Sequence, residues 1–361
     1  MPAMSIAKVL TPILLLTLIP FFGCASRPTS APVNASATPG ITSFKAPYAT
    51  TGSIEVLDDG MNSLIDANAK IEVLAEGFGW GEGPTWIADG RYLVFSDVPG
   101  NTIYKWKDGE GISVFMRPSG GLPLKDGKPD GDGSNGLFYD SEGHLLIAQH
   151  GARRIVRLDN LAAPNGGVTV LADQFGGKRF HSPNDLVPAG TGVFFTDPPY
   201  GLKDDSQREL PSNGVYYVSA NGDVRLVDGD LERPNGIALS PDGATLYVAN
   251  SDSGNPIWKA YTLDGEQNAS DPRTFFDAQH LRKTGRSGGN DGMRVDEGGN
   301  IVATGPGGVL FFSPDGRHLG SLLIDRSVAN CAFGDDGKIL YLTAKDKLLR
   351  VKLKTRGLGR F

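Results

Sequence analysis

Asn235–Asn250 reads NGIALSPDGATLYVAN: a polar residue, an apolar run, a Pro-Asp-Gly turn and a second apolar run. Two runs of strand-forming residues held apart by turn residues make a β-hairpin. The same grammar returns at Glu82 (EGPTWIADGRYLVFSD), Asn135 (NGLFYDSEGHLLIAQ), Asn184 (NDLVPAGTGVFFTD), Asp291 (DGMRVDEGGNIVAT) and Asn330 (NCAFGDDGKILYLTA). The leading polar residues are 53, 49, 51, 56 and 39 residues apart, so each marks one phase of a repeat. Two further strand candidates follow within the units, such as Ile103–Trp106 with Ile112–Met116 and Val309–Phe312 with Leu319–Leu322. No stretch holds an apolar period of 3.6 residues beyond about two turns. Four strands per unit of about 50 residues is a propeller blade. The sequence therefore predicts an all-β chain, a six-bladed β-propeller of four-stranded antiparallel blades. A pair of β-sandwiches would give no reason for one polar residue at the same phase in six units. The last unit ends soon after Leu348–Leu353, so its outer strand is expected from Ile71–Leu74, ahead of the first repeat. Pairing the two ends of the chain in this way closes the ring and removes exposed sheet edges.

The residues outside the repeats read differently. Lys8 precedes an apolar run, Val9–Phe22, which is too short to span a bilayer and is interrupted by Pro12 and Pro20. Residues 1–23 are expected to be an export signal, and the Gly23-Cys24-Ala25 step resembles a bacterial lipobox with Cys24 as the acylated residue. Simple cleavage near Ala25 is the alternative. Residues 24–53, rich in Ala, Ser, Thr and Pro, are expected to be a flexible tether, with the propeller occupying 54–361. These features predict an exported protein of the periplasm or cell envelope, anchored to the membrane by lipid. Apart from Cys24 the chain has only Cys331, so no disulfide is expected. The net charge of −6 and the lack of a basic cluster argue against nucleic acid as a partner and favour a small-molecule substrate. The 49 glycines stand largely in D-G, N-G and G-G pairs, the punctuation of many short strands.

In a propeller, the first strand of each blade lines a central channel. Glu82, Asn135, Asn184, Asn235, Asp291 and Asn330 are thus predicted to converge from six blades. Any one of these residues is most simply a turn former. Here, however, the D-G turn lies later in each unit, as at Asp242-Gly243, which leaves the opening residue without a turn to make. Two carboxylates and four amide carbonyls form a cage of hard oxygen donors suited to Ca²⁺. Mg²⁺ and Mn²⁺ are alternatives, as is Zn²⁺, although zinc favours Cys and His. His150, Arg153, His181, Asp197 and Tyr200 are expected near the same mouth. The two histidines could contact a substrate hydroxyl or carry a proton.

WGEGPTW (80–86), SPNDL (182–186) followed by FTDPPYG (195–201), RPNGIALSPDG (233–243) and NDGMRVD (290–296) are similar to motifs of one family. They resemble the gluconolactonase branch of the senescence marker protein, gluconolactonase and luciferin-regenerating enzyme family, in family order. The resemblance implies a lactonase that opens a sugar lactone at one channel metal, with Glu82, Asn184, Asn235 and Asp291 as metal ligands. It also implies that Asp291 is the catalytic base or water-orienting carboxylate. Asn135, His150, Arg153, His181, Tyr200 and Asn330 are then expected to contact substrate or support the ligands. His181 stands where relatives carry a polar amide. Two other functions fit the same residues: a phosphotriesterase or arylesterase resembling diisopropylfluorophosphatase or paraoxonase, and a non-enzymatic propeller that binds a ligand at the membrane.

Three local motifs are set aside. Gly131–Gly136 matches G-x-G-x-x-G without a strand–helix context. Gly285–Gly289 matches G-x-S-x-G but follows a polar stretch and precedes no helix. Asp130–Ser134 opens like a calcium loop, yet its sixth position is Asn135 and its twelfth is not glutamate. A weak second ion site is all it suggests.

Overall fold

Phe194 and Phe195, neighbours on one strand, are both wholly buried, and they are buried in different cores. Phe194 packs with Val187, Ile237, Leu246 and Val248, toward the following blade. Phe195 packs with Leu146, Ala148, Ile155 and Phe180, toward the preceding one. Successive side chains leave a strand on opposite faces. Each blade is sandwiched between two others, so both faces must be apolar, and the inner strands read as continuous hydrophobic runs. Burying one such Phe side chain contributes about 1.5–3 kcal/mol.

In the computed structural model, which describes Met1 and residues 40–129 and 131–361, these strands form six antiparallel blades in a ring: a six-bladed β-propeller. The first comprises Gly81–Ile87, Tyr92–Asp97, Thr102–Lys107 and Gly111–Met116, counted from the channel outward. Blades two, three and four begin at Leu137–Tyr139, Leu186–Ala189 and Pro234–Leu239, and end on Val168–Ala172, Val224–Asp228 and Ala269–Asp277. The fifth runs from Met293–Val295 to His318–Leu323. In the sixth, Asn330–Gly334, Ile339–Ala344 and Lys347–Lys352 are completed by Ile71–Glu76. Leu349 lies opposite Val73 and Arg350 opposite Glu72, where Arg350 Nε donates to Glu72 Oε2 at 2.7 Å. The expected ring closure is therefore present.

The tether expected over 24–53 is corrected at its distal end. Thr42–Ser43 and Thr50–Thr51 pair with Ile71–Glu76, and Ser53–Val56 adds a fifth strand to His318–Leu323. Thr is a good strand former, and the outer strands of blades five and six offer unpaired N–H and C=O groups that this segment satisfies. The expected export signal at 1–23, Cys24 and the tether up to residue 39 lie outside the described residues. Among the described residues, no helix is long and apolar enough to cross a membrane. Gly285–Gly289 lies beyond the short helix Gln279–Arg282 and leads to Asp291, with no strand-to-helix elbow.

Candidate active site

The residue after each opening polar position explains part of the repeat. Gly83 has φ +46, and a Cβ there would stand 2.3 Å from the Asn135 carbonyl oxygen. At Gly236 a Cβ would meet the Asp291 carbonyl oxygen at 2.1 Å. These glycines let the first strands of neighbouring blades approach each other at the channel. The E-G and N-G steps are thus inter-blade contacts, not turns.

A second repeated device holds the chain just before the opening residue. Asp97, at the end of the second strand of blade one, accepts the Gly79 and Trp80 N–H groups at 3.1 and 3.0 Å. Asp197 does the same in blade three for His181 and Ser182, both at 2.7 Å, and Asn250 accepts the Arg233 N–H at 2.9 Å in blade four. Hydroxyls pin the opening residues' main chain across blades: Ser96 Oγ donates to Asn135 O at 2.8 Å and Thr196 Oγ1 to Asn235 O at 2.7 Å. The final S-D, T-D and A-N of these repeats are therefore positioning groups, a role that sequence reasoning had not given them. Their signal was present, because they recur at a fixed phase.

These devices bring Glu82, Asn135, Asn184, Asn235 and Asp291 to one open cavity of about 450 Å³. Trp80, Asp132, His150, Tyr200 and Ser251 complete the polar part of its wall. Three amides form a relay around it. Asn135 Nδ2 donates to Asn184 Oδ1 (2.8 Å), Asn184 Nδ2 to Asn235 Oδ1 (2.6 Å), and Asn235 Nδ2 to Ser251 Oγ (2.9 Å). Glu82 accepts from the Gly83 N–H at 3.1 Å and the Trp80 indole at 3.4 Å. Two buried oxygens of this wall find no donor: Asn135 Oδ1 and Asp291 Oδ1.

Burial and, second to it, the nearby Asp185 carboxylate push the Glu82 carboxyl up to about 7, against the pull of its Gly83, Trp80 and Asn330 donors. Asp291 is held well above the usual carboxylate range by burial first and by Glu82 and Asp185 next. Two carboxylates short of counter-charge, with unpartnered carbonyl and carboxylate oxygens beside them, are chemically suited to a hard divalent cation. Among the described residues, no three Asp, Glu, His or Cys side chains cluster as a ready-made metal cage. The amides must supply the remaining donors.

Residues 80–346 match the model of the SMP-30/gluconolactonase/LRE-like region. The chain belongs to this family. Over 320 residues it is 39% identical to a gluconolactonase of Zymomonas mobilis subsp. mobilis, covering 85% of this chain and 88% of that one. It is also similar to a solved structure from Xanthomonas campestris, described as a gluconolactonase, at 28% identity and a TM-score of 0.74, covering 87% of this chain and 99% of that one. A calcium-binding regucalcin from Agrobacterium tumefaciens shares the fold, with 20% identity, a TM-score of 0.61 and coverage of 87% of this chain and 96% of that one.

Not every candidate reaches the cavity of this SMP-30/gluconolactonase-like chain. His150 lines it, and its Nδ1 lies 3.2 Å from the Pro183 carbonyl, which fixes Nδ1 as the donor. Burial pushes its pKa down, so the ring is neutral with Nε2 as an acceptor. His181 is fully buried elsewhere. Its ring nitrogens face Asn213 Oδ1 at 2.9 Å and the Leu210 carbonyl at 3.3 Å, so it braces a loop. Arg153 is likewise drawn off, its guanidinium bound by the Phe180 and Gln207 carbonyls and 3.6 Å from Glu209. Asn330 opens its blade at the expected phase, but its Nδ2 donates to Asp185 Oδ2 at 3.3 Å, away from the cavity wall. Loop residues had no phase to place them, which is why the expectations for His181 and Arg153 missed the cavity. Asp132 and Ser251 were not foreseen as lining residues. Ser251 follows directly after the fourth repeat.

Proposed function

We propose that the protein hydrolyses a sugar lactone with the help of a divalent cation, Ca²⁺ by its donor set, held by Glu82, Asn184, Asn235 and Asp291. Support for the lactone comes from the family and from the gluconolactonase relative at 39% identity. The observation that carries the cation is the buried, unpartnered Asp291 Oδ1 in the same cavity as Glu82, two carboxylates without a counter-charge at the cavity wall. A bound cation would supply Lewis-acid polarisation of the lactone carbonyl. Asp291 takes the proton of the attacking water. Its Oδ1 has no donor to satisfy it, and its site raises its proton affinity. The proton then passes to the ring oxygen as the acyl C–O bond breaks. Asn135 extends the amide relay to the cavity edge, where its free carbonyl can receive a substrate hydroxyl. His150 and Tyr200 stand on the wall as sugar-hydroxyl partners.

A phosphotriesterase would draw on the same donors, and the similarity to gluconolactonases favours the lactone. The experiment is a panel of aldonolactones and phosphotriesters, each with and without chelator. Metal-dependent turnover of aldonolactones above the uncatalysed rate is expected. Turnover of phosphotriesters alone would contradict the lactone reading.

A further inference from the structure

A third carboxylate lies deeper in the channel and takes no part in the cavity wall. Asp185 directly follows Asn184 and is fully buried. It accepts from its neighbour's backbone, Leu186 N–H at 2.9 Å, and from Asn330 Nδ2 at 3.3 Å. Beyond it stands Arg294, three residues after Asp291, with Nη1 4.0 Å from Asp185 Oδ2. The guanidinium is fixed by the Met293 carbonyl at 2.8 Å and the Pro84 carbonyl at 3.4 Å, and it lies 5.7 Å from the Phe138 ring centre. Its side chain is only 12% exposed. On the far side, Phe138, Val187, Ile237, Val295 and Leu358 line a smaller, largely apolar pocket that Arg294 also borders.

We infer that Asp185 and Arg294 form a buried counter-charge pair that sets the net charge under the cation site, and through it the preference for a divalent over a trivalent ion. This rests on the cation reading above. A buried ion pair is a poor source of stability, because desolvating both charges costs as much as their attraction returns. Its presence beneath two carboxylates calls for another role. Ionised, as a bound cation would require, Glu82, Asp291 and Asp185 would carry three negative charges against the one positive charge of Arg294, which leaves two negative charges in the channel. That is the charge one divalent cation neutralises. Asp132 and Arg233 stand nearer the solvent with opposite signs, where water screens them. Asp185 touches neither cavity nor substrate, so it is a positioning residue that acts through the field at Glu82 and Asp291.

The test compares Ca²⁺ affinity by calorimetry with Tb³⁺ affinity by luminescence on chelator-treated full-length protein. Removing one positive charge with Arg294→Met should shift the ratio of affinities toward Tb³⁺ by about tenfold, since a charge acts more strongly on a trivalent ion. Asp185→Asn should shift it about tenfold the other way. The double variant restores the net charge and leaves no orphaned partner, so its ratio should return to within about threefold of wild type. Either single variant leaves a buried charge unpaired. If Arg294→Met fails to fold, Arg294→Gln, which keeps a donor toward Asp185, takes its place: a ratio shifted toward Tb³⁺ supports the pair and an unchanged ratio overturns it. If all variants bind both ions with the wild-type ratio, the pair is merely structural and the cation reading survives. If wild-type protein binds neither ion, both readings fall.

Discussion

The two ends of the central channel are made by the same first strands and differ in what they leave unsatisfied. At the mouth, Glu82, Asn135 and Asp291 hold buried oxygens short of donors or counter-charge. At the far end, Phe138, Val187, Ile237, Val295 and Leu358 line a smaller, largely apolar pocket, and the Leu358 N–H donates to the Val295 carbonyl at 3.0 Å. Arg360 Nη2 reaches Asp89 Oδ1 at 2.7 Å, and Gly357 bridges to Asp296. One end is tied down by groups that satisfy each other. The other is left open by groups that do not, and that difference marks where chemistry can occur. Substitutions at the mouth should change catalysis and ion binding far more than stability, and substitutions at the far end should do the reverse.

The sharpest break comes from Asp291→Asn, which removes a proposed ligand and the proposed base together. Lactone turnover should fall by about 10³-fold and stay low at saturating Ca²⁺. Glu82→Gln removes a proposed ligand alone, so its loss at low Ca²⁺ should be largely recovered at high Ca²⁺. Steady-state kinetics across a calcium titration separate the two. Equal recovery in both would remove Asp291 from its role as base.

Acidity offers a third test. The Glu82 carboxyl is pushed up to about 7, so below that pH it is protonated in the free protein and the cation must displace the proton. Calcium affinity should therefore weaken as pH falls from about 8 to about 6, with proton release on binding near neutrality. Calorimetry in buffers of different ionisation enthalpy reads the released protons. A pH-independent affinity would contradict the assignment of Glu82 as ligand.

At the far end, Leu358→Ala should cost about 1 kcal/mol, because that side chain is only partly buried, and should leave calcium affinity unchanged. A loss of ion binding without a drop in Tm would break the contrast between the two ends. The smallest effect on catalysis is expected from Cys24→Ser. If Cys24 is the lipid anchor, this change should move the protein from the membrane to the soluble fraction with its lactone turnover intact.

Why the mouth was legible in the sequence follows from phase. Glu82, Asn184, Asn235 and Asp291 open repeats, and a repeat position is a place in the ring. Their neighbours in space could not be read in that way. Asp185 sits one residue past a proposed ligand, just ahead of the strand Leu186–Ala189, and no repeat phase marked it. Arg294 pairs with it across 109 residues of sequence. His181 and Arg153 lie on connecting segments, whose course no periodicity fixes, and both are consumed by scaffold contacts. The segment 42–53 was read as tether because it is nearly uncharged. Its Thr and Ser residues were equally fit to pair with an open edge, and only the presence of that edge decides between the two.

If the unsatisfied oxygens at the mouth hold a divalent cation for lactone hydrolysis, the wild-type protein should lose aldonolactone turnover on chelation and regain it as Ca²⁺ is returned stepwise. Activity is expected to fall to the uncatalysed rate in chelator and to return with calcium. An undiminished rate in excess chelator, with no metal retained by elemental analysis, would contradict that expectation.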